Sequence, residues 1–358
     1  MTLFLLLVTL MLYLKMIKIL CLHNATDRAS YRYRVAHFLP YWNSYHIDLQ
    51  ASCISGKQYI NILRFLFKFQ DYDYILLQKK ILPQLLIKII ARKSMLVYDF
   101  DDAIYTRESW LLKKNKPQAK ATVNNLNFII KKAAIVFAGS NDLVNYAKKF
   151  NNNIYLIPTA LDKQIPDTII TPKSGNVMIG WIGNDVNLFY LAIIDEATFY
   201  LQQKYPDIRF ALMCGNPPKG LKTQWEFMPW SSATEKTWLQ SIDIGIMPLT
   251  DDPWTRGKCA FKLLQYMAFA KPVIASDVGA NRTTVLDSIN GYLVSTPAGW
   301  ASALEALILD QNKRIAMGRE SLRIFNEHFE RSHIQQKIAD ILHEYKHPVV
   351  SGNNIKKA

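Results

Sequence analysis

The chain has 358 residues, half of them hydrophobic, and a formal net charge of +14. That is ample for two cores of ordinary size and argues against disorder outside the polar tail SGNNIKKA. Its four cysteines, Cys21, Cys53, Cys214 and Cys259, show no CxxC spacing, so neither a disulfide framework nor a zinc site is indicated and a reducing compartment is expected.

Residues 1–14, MTLFLLLVTLMLYL, carry no charge. They are too short to span a bilayer, which needs about twenty apolar residues, and they lack the basic start and small-residue cleavage site of a signal peptide. The apolar extension 1–15 is read as a start-site artefact or a shallow membrane anchor, with the folded domain beginning near Met16. From there, short apolar runs rich in β-branched residues alternate with amphipathic stretches. IKILCL (17–22) precedes the helical pattern 31–42, YILLQ (74–78) precedes 82–93, and MLVYDF (95–100) leads through a basic segment to AAIVFAG (133–139). A helix capped at Ser140 or Asn141 and NIYLIP (153–158) follow. Such alternation predicts a parallel sheet with helices on both faces.

The stretch 162–176 has no clear period and reads as a linker. The alternation then restarts with VMIGWIG (177–183), a helix to about Lys204, IRFALMCG (208–215), IDIGIMPL (242–249), a helix from about Cys259, and KPVIASD (271–277). Helices are expected at 300–309, 311–329 and 331–346. The division is therefore a first Rossmann-like domain over 16–165, a second over 166–330, a terminal helix over 331–348 and a tail over 349–358.

Charge and glycine are unevenly divided. Residues 1–165 hold 23 Lys and Arg against 10 Asp and Glu, whereas residues 166–358 hold 20 against 19. Only Gly56 and Gly139 lie in the first half; the other twelve glycines are in the second. Close approach of backbone to a phosphate needs glycine, so Gly180 and Gly183, at the end of a strand, place any nucleotide in the second half. The basic first half interleaves cations with apolar residues (64–69, 79–93, 113–116), a pattern suited to anionic lipid headgroups. No nucleic-acid-binding motif accompanies it.

The richest stretch is DDPWTRGKCAFKLLQYMA (251–268). Ligands of open α/β sheets sit at the carboxyl ends of strands. Arg256, Lys258 and Lys262, with the amides of a helix start, would hold a diphosphate there. The plainer alternative is a surface cluster in which Asp251 and Asp252 pair with Arg256 and Lys258. LVYDFDDA (96–103) places three carboxylates at a strand end. It fits a metal-binding DxD, a phosphatase nucleophile, an acceptor-side pair Asp101 and Asp102, or a simple cap. Arg32 and Arg34, two apart, point to different helix faces, and His23 follows the first strand alone.

The segment 230–329 resembles the carboxyl-terminal domain of group 1 glycosyltransferases. The matching features are Trp230-Ser231, Glu235 with Leu239, DIGIMPL, the stretch 251–281, NGYLV, Trp300 and RIAMGRESLR. SYRYRVAHFLPYW and VYDFDDAIY resemble the same family's first half. The resemblance implies the GT-B fold: two Rossmann-like domains facing a cleft, with the last helix returning to the first domain. It implies retaining transfer from a nucleoside-diphosphate sugar, with no metal or other cofactor, to a glycan or lipid-linked acceptor. Surface polysaccharide or lipopolysaccharide-type biosynthesis, at the cytoplasmic face of a membrane, is the expected setting. The family's two glutamates, the first for the donor sugar or phosphate and the second for the ribose hydroxyls, fall here on Gly257 and Gln265. Gln265 can still bond a ribose hydroxyl, Asp251 or Asp252 is the alternative to the first, and the loop GNDVN lacks the family's usual basic pair. The residues implied are Asp102, Arg256 and Lys258 for catalysis, and Gly180, Gly183, Trp230, Asp252, Lys262 and Gln265 for the donor. Arg32, Arg34 and Asp101 stand on the acceptor side. Removal of Arg256 is expected to lower turnover roughly a hundredfold. Two alternatives stand: the missing glutamates fit a non-catalytic relative with a degenerate donor site, and the carboxylates of LVYDFDDA fit a metal-dependent DxD enzyme of the GT-A or phosphatase kind.

Overall fold

The computed structural model describes residues 16–24, 26, 29–54, 61–112, 114, 116–165 and 176–346. The extension 1–15, most of the expected linker and the tail 349–358 lie outside them. Among the described residues, six parallel strands form a first sheet: β1 (Ile17–His23), β2 (Ile47–Cys53), β3 (Tyr74–Gln78), β4 (Met95–Phe100), β5 (Ile135–Ala138) and β6 (Ile154–Leu156), in the order β2-β1-β3-β4-β5-β6. Side chains alternate across a strand, and both faces of β1 are covered. Leu20 and Leu22 join one apolar cluster while Ile17 and Ile19 join another. Burial on both faces is why these strands read as continuous apolar runs.

The second sheet contains β7 (Met178–Ile182), β8 (Arg209–Cys214), β9 (Trp225–Pro229), β10 (Ile244–Met247), β11 (Val273–Ser276) and β12 (Gly291–Val294), ordered β12-β11-β10-β7-β8-β9. Chain order reverses between β1 and β3 in one sheet and between β7 and β10 in the other. Crevices open outside the carboxyl ends of strands at such reversals, and these two frame the site described below.

Helix Arg331–Lys346 returns to the first domain. Ile334, Ile338, Ile341 and Leu342, one stripe at helical spacing, pack on Ile17, Ile19, Phe38 and Trp42, and the Tyr74 hydroxyl donates to the Leu342 carbonyl at 2.6 Å. The two chain segments that cross between domains lie side by side. Leu161 N donates to Phe329 O at 3.2 Å, and Arg331 N donates to Leu161 O at 2.8 Å. The Arg331 guanidinium also pairs with Asp162 at 2.7 Å.

Local departures from the sequence expectations have physical causes. The pattern at 31–42 is not one helix: helix Ala29–Arg34 gives way to a 3-10 segment Ala36–Tyr45, since Pro40 lacks an amide and clashes with the preceding turn of an α-helix. β2, β9 and β12 were not anticipated. All three are edge strands with partly exposed side chains, so they lack the apolar runs of the central strands. The helix expected from about Cys259 runs over Phe261–Met267 after Ala260 at φ 52°, and the loop before it holds an unanticipated short helix, Pro253–Arg256.

Candidate active site between the two domains

Carboxyl ends of strands from both sheets meet across a cavity of about 280 Å³. Asp101, Asp102 and Lys79 line it from the first domain; Asn184, Met247, Lys258 and Lys262 line it from the second. Lys79, directly after β3, has φ 51° and donates its amide to Asp99 O at 2.7 Å. That turn brings its ammonium onto the acidic pair, 3.1 Å from Asp101 and in contact with Asp102. Burial alone would raise the Asp101 pKa, but Lys79 and then Arg34 outweigh it and hold the carboxyl below its usual range. Asp101 therefore faces the cleft ionised, and Lys79 pairs with both carboxylates. Sequence inspection missed Lys79, which sits in a basic run that reads as a solvated face. Among the described residues, no group of three or more His, Cys, Asp or Glu is placed to hold a metal.

On the opposite wall, Lys262 lies in the first turn of helix Phe261–Met267. Its chain crosses the Trp181 ring, with Nζ 5.4 Å from the ring centroid. Gly183 makes this possible: a Cβ there would stand 2.7 Å from Lys262 Cε and from the Trp181 ring. Burial, with neighbouring Lys258, pulls the Lys262 pKa down to about 7 against the opposing effect of Asp102. Lys258 lies over the Trp254 ring at 5.5 Å. Two ammonium groups thus converge at the β7–β10 reversal, where the backbone carries no side chain at 183.

Several expected residues stand elsewhere. Arg256 is half-exposed and does not line the cavity; its Nε is 2.6 Å from Asp251 Oδ1. It ends the four-residue helix Pro253–Arg256, and a cation is favoured at that end. Asp252 is that helix's N-cap rather than a donor ligand, accepting from Trp254 N at 2.9 Å and Thr255 N at 3.0 Å. Neither acid is free to replace a missing glutamate. Gly180 is a packing glycine inside β7, where a Cβ would meet Ile242 at 2.5 Å. Arg34 is buried beneath the acceptor side rather than on it, with a bidentate grip on Asp99 and a 2.9 Å bond to Ile157 O. Arg32 points the other way, with its guanidinium 5.2 Å from the Trp230 ring of the second domain. His23 stacks on Tyr31 at 3.8 Å and does not line the cavity. Gln265 is buried, 6 % exposed, and donates to Glu235 Oε1 at 2.9 Å.

Gly257 stands where the resemblance places a glutamate, and it has no room for one. A Cβ there would be 2.5 Å from Ala103 Cβ of the first domain. The neighbouring Cys259 fills a notch in that domain: its thiol donates to Asp101 O at 3.0 Å, and a Cβ on Gly139 would come within 2.4 Å of its sulfur. So the stretch 251–268 not only lines the cleft but also seats one domain on the other. Gly139→Ala is expected to destabilise the protein by about 1–3 kcal/mol through overpacking. Adding Cys259→Ala should restore much of that, which thermal melting of the single and double variants would check.

These two Rossmann-like domains facing a cleft, with the last helix returning to the first, define the GT-B architecture. The chain superposes on a glycosyltransferase from Rickettsia africae with a TM-score of 0.71, at 14 % identity over 93 % of this chain and all of the other. It superposes on Anabaena HepE in complex with UDP-glucose with a TM-score of 0.66, at 16 % identity, covering 91 % of this chain and 99 % of that one. Residues 178–310 match the family described as "Glycosyl transferases group 1". By sequence, the chain is 28 % identical over 166 residues to a D-inositol 3-phosphate glycosyltransferase of Corynebacterium urealyticum, covering 41 % of this chain and 38 % of the relative. A relative of the same name from Xylanimonas cellulosilytica is 33 % identical over 79 residues, covering 22 % and 18 %. The chain spans less than two-fifths of the length of these relatives.

Proposed function

We propose that the chain transfers a sugar from a nucleoside-diphosphate sugar to an acceptor held against the first domain. The observation that supports it most is the convergence of Lys258 and Lys262 on the β7–β10 reversal, opposite the acidic pair Asp101 and Asp102. Breaking the bond between sugar and diphosphate builds negative charge on the departing oxygen, and fixed cations at that point lower the barrier. Asp102 faces the same cavity, in contact with Lys79, and is placed to orient an acceptor hydroxyl. In this reading the donor rests on Lys258, Lys262 and Gly183, near Trp230. Asp101 and Asp102 serve the acceptor, and no metal or other cofactor takes part.

Finer features of the proposal are retention of configuration and a glycan or lipid-linked acceptor, in surface polysaccharide or lipopolysaccharide-type biosynthesis. UDP-glucose heads the donors to be tried, given the HepE complex, and a phosphorylated polyol such as inositol phosphate belongs among the acceptors, given the named relatives. Peripheral attachment to the cytoplasmic face of an anionic membrane fits the basic first half. Among the described residues no helix is long and apolar enough to cross a bilayer.

Thermal-shift screening with UDP, GDP and ADP tests donor binding, because a ligand of the native state alone raises its melting temperature. At least one diphosphate is expected to raise it at a hundred-fold excess over Kd, where the stabilisation is about 2.7 kcal/mol. No shift with any of the three at millimolar concentration would overturn the donor assignment. Binding without turnover across a panel of nucleotide-sugars would instead favour the non-catalytic reading, to which the Gly257 contact lends weight.

A further inference from the structure

The resemblance places on residue 265 a carboxylate for the donor's ribose, yet residue 265 is a glutamine buried against another side chain. That side chain is Glu235, at the first position of helix Glu235–Ser241. One carboxylate oxygen accepts from Gln265 Nε2 at 2.9 Å; the other accepts from the indole Nε1 of Trp230. The hydroxyl of Tyr33, from the first domain, bonds to the same carboxylate, and burial together with Glu235 raises the tyrosine's pKa. Three donors on three separate elements thus converge on one acid. An ionised carboxylate offers about four lone-pair sites, and its edge beside half-exposed Trp230 remains near solvent.

The spacing along the neighbouring helix fits a nucleotide. Lys262 and Gln265 are three residues apart on helix Phe261–Met267, hence neighbours on one side of it with an axial rise of about 4.5 Å. That rise is of the order of the step from a diphosphate to the hydroxyls of its ribose. A diphosphate at Lys262 therefore brings its ribose to the level of Gln265. Gln265 is enclosed, and its amide is already spent on Glu235.

We propose that Glu235 supplies the carboxylate that accepts hydrogen bonds from the 2′- and 3′-hydroxyls of the donor's ribose, with Gln265, Trp230 and Tyr33 holding it in place. This rests on the donor site proposed above. The acid has moved from the helix that carries Lys262 to the helix beside it, and Gln265 has become its support. Glu235 is a binding residue here, and Gln265 is a positioning residue that acts through it.

The test compares UDP, GDP and ADP with their 2′,3′-dideoxy counterparts, and with inorganic pyrophosphate, by calorimetry on the full chain. The unsubstituted protein is expected to prefer the hydroxylated form of its nucleotide by about 10- to 100-fold, as for hydrogen bonds to a charged group. In Glu235→Gln that preference should fall to within about 3-fold, while pyrophosphate affinity is retained. Glu235→Asp, which keeps the charge on a shorter arm, should recover part of the preference. An undiminished preference in both variants would overturn the ribose role of Glu235 while leaving the donor site standing. Failure of every diphosphate to bind the unsubstituted protein would overturn both. Retained pyrophosphate binding also separates a lost ribose contact from a misfolded variant.

Discussion

Replacing Arg34 with methionine is expected to destabilise the protein by about 3–5 kcal/mol, the usual consequence of removing one partner of a buried ion pair. Asp99 sits at the end of β4 with 5 % of its surface exposed, and the guanidinium of Arg34 supplies a bidentate grip on it. The substitution strands that carboxylate and also leaves Ile157 O without its 2.9 Å donor. Adding Asp99→Leu should recover much of the loss, since replacing both charges by apolar groups is often neutral. The deficit of the single variant should shrink as pH falls. Burial raises the Asp99 carboxyl above its unfolded pKa, so protonation favours the folded form once the compensating cation is gone. Urea unfolding of the single and double variants at pH 5 and pH 8 provides the measurement. A loss below about 1 kcal/mol would mean the pair contributes no more than a surface bridge.

The second large effect belongs to Lys262. Its replacement by methionine, which keeps the packing on Trp181, is expected to lower turnover with the cognate nucleotide-sugar by about 100-fold or more. Lys258→Ala should act in the same direction, and the double variant should fall short of the product of the two, because both serve one phosphate group. Arg256→Ala is now expected to stay within a few-fold of the unsubstituted rate, since its charge is spent on Asp251 at the surface. The pKa of about 7 at Lys262 adds a pH signature. Below that pH the ammonium is already formed and the diphosphate binds directly. Above it, binding must draw in a proton, so affinity should weaken by up to about tenfold per pH unit. Lys262→Met should flatten this dependence. Folding responds with the opposite sign. The folded pKa lies below the unfolded value of about 10.4, so this residue's penalty is absent at high pH and grows as pH falls toward 7. Calorimetry in two buffers of different ionisation enthalpy reads the proton uptake on binding.

Much of the architecture was legible because both faces of each central strand are buried. Apolar runs such as IKILCL and IDIGIMPL follow directly from that, and the restart of alternation after 176 marks the second domain. β2, β9 and β12, with one partner strand each, carry no such signature. The cleft was legible in outline: Lys258, Lys262, Asp101 and Asp102 do come together. Two things hid the remainder. Lys79 reaches the acidic pair through a left-handed backbone position that an unremarkable Lys-Lys sequence does not announce. Cations near a helix start suggested one anion, but Asp251 is only five residues from Arg256 and within reach, whereas Lys262 is drawn into the cleft by the missing side chain at 183. Gln265 was readable as a substituted glutamate. That it leans on Glu235, thirty residues earlier, depends on how two helices are set beside one another, which no local pattern encodes.

The paired crossing at Leu161 and Glu330 has a mechanical meaning. Among the described residues the two chain crossings meet at one point, pinned by two backbone hydrogen bonds and the Arg331–Asp162 clasp. Any swing of the lobes is therefore a rotation about that pivot rather than a sliding motion. The widest excursion falls on whatever lies farthest from it, and the terminal helix rides rigidly with the first lobe.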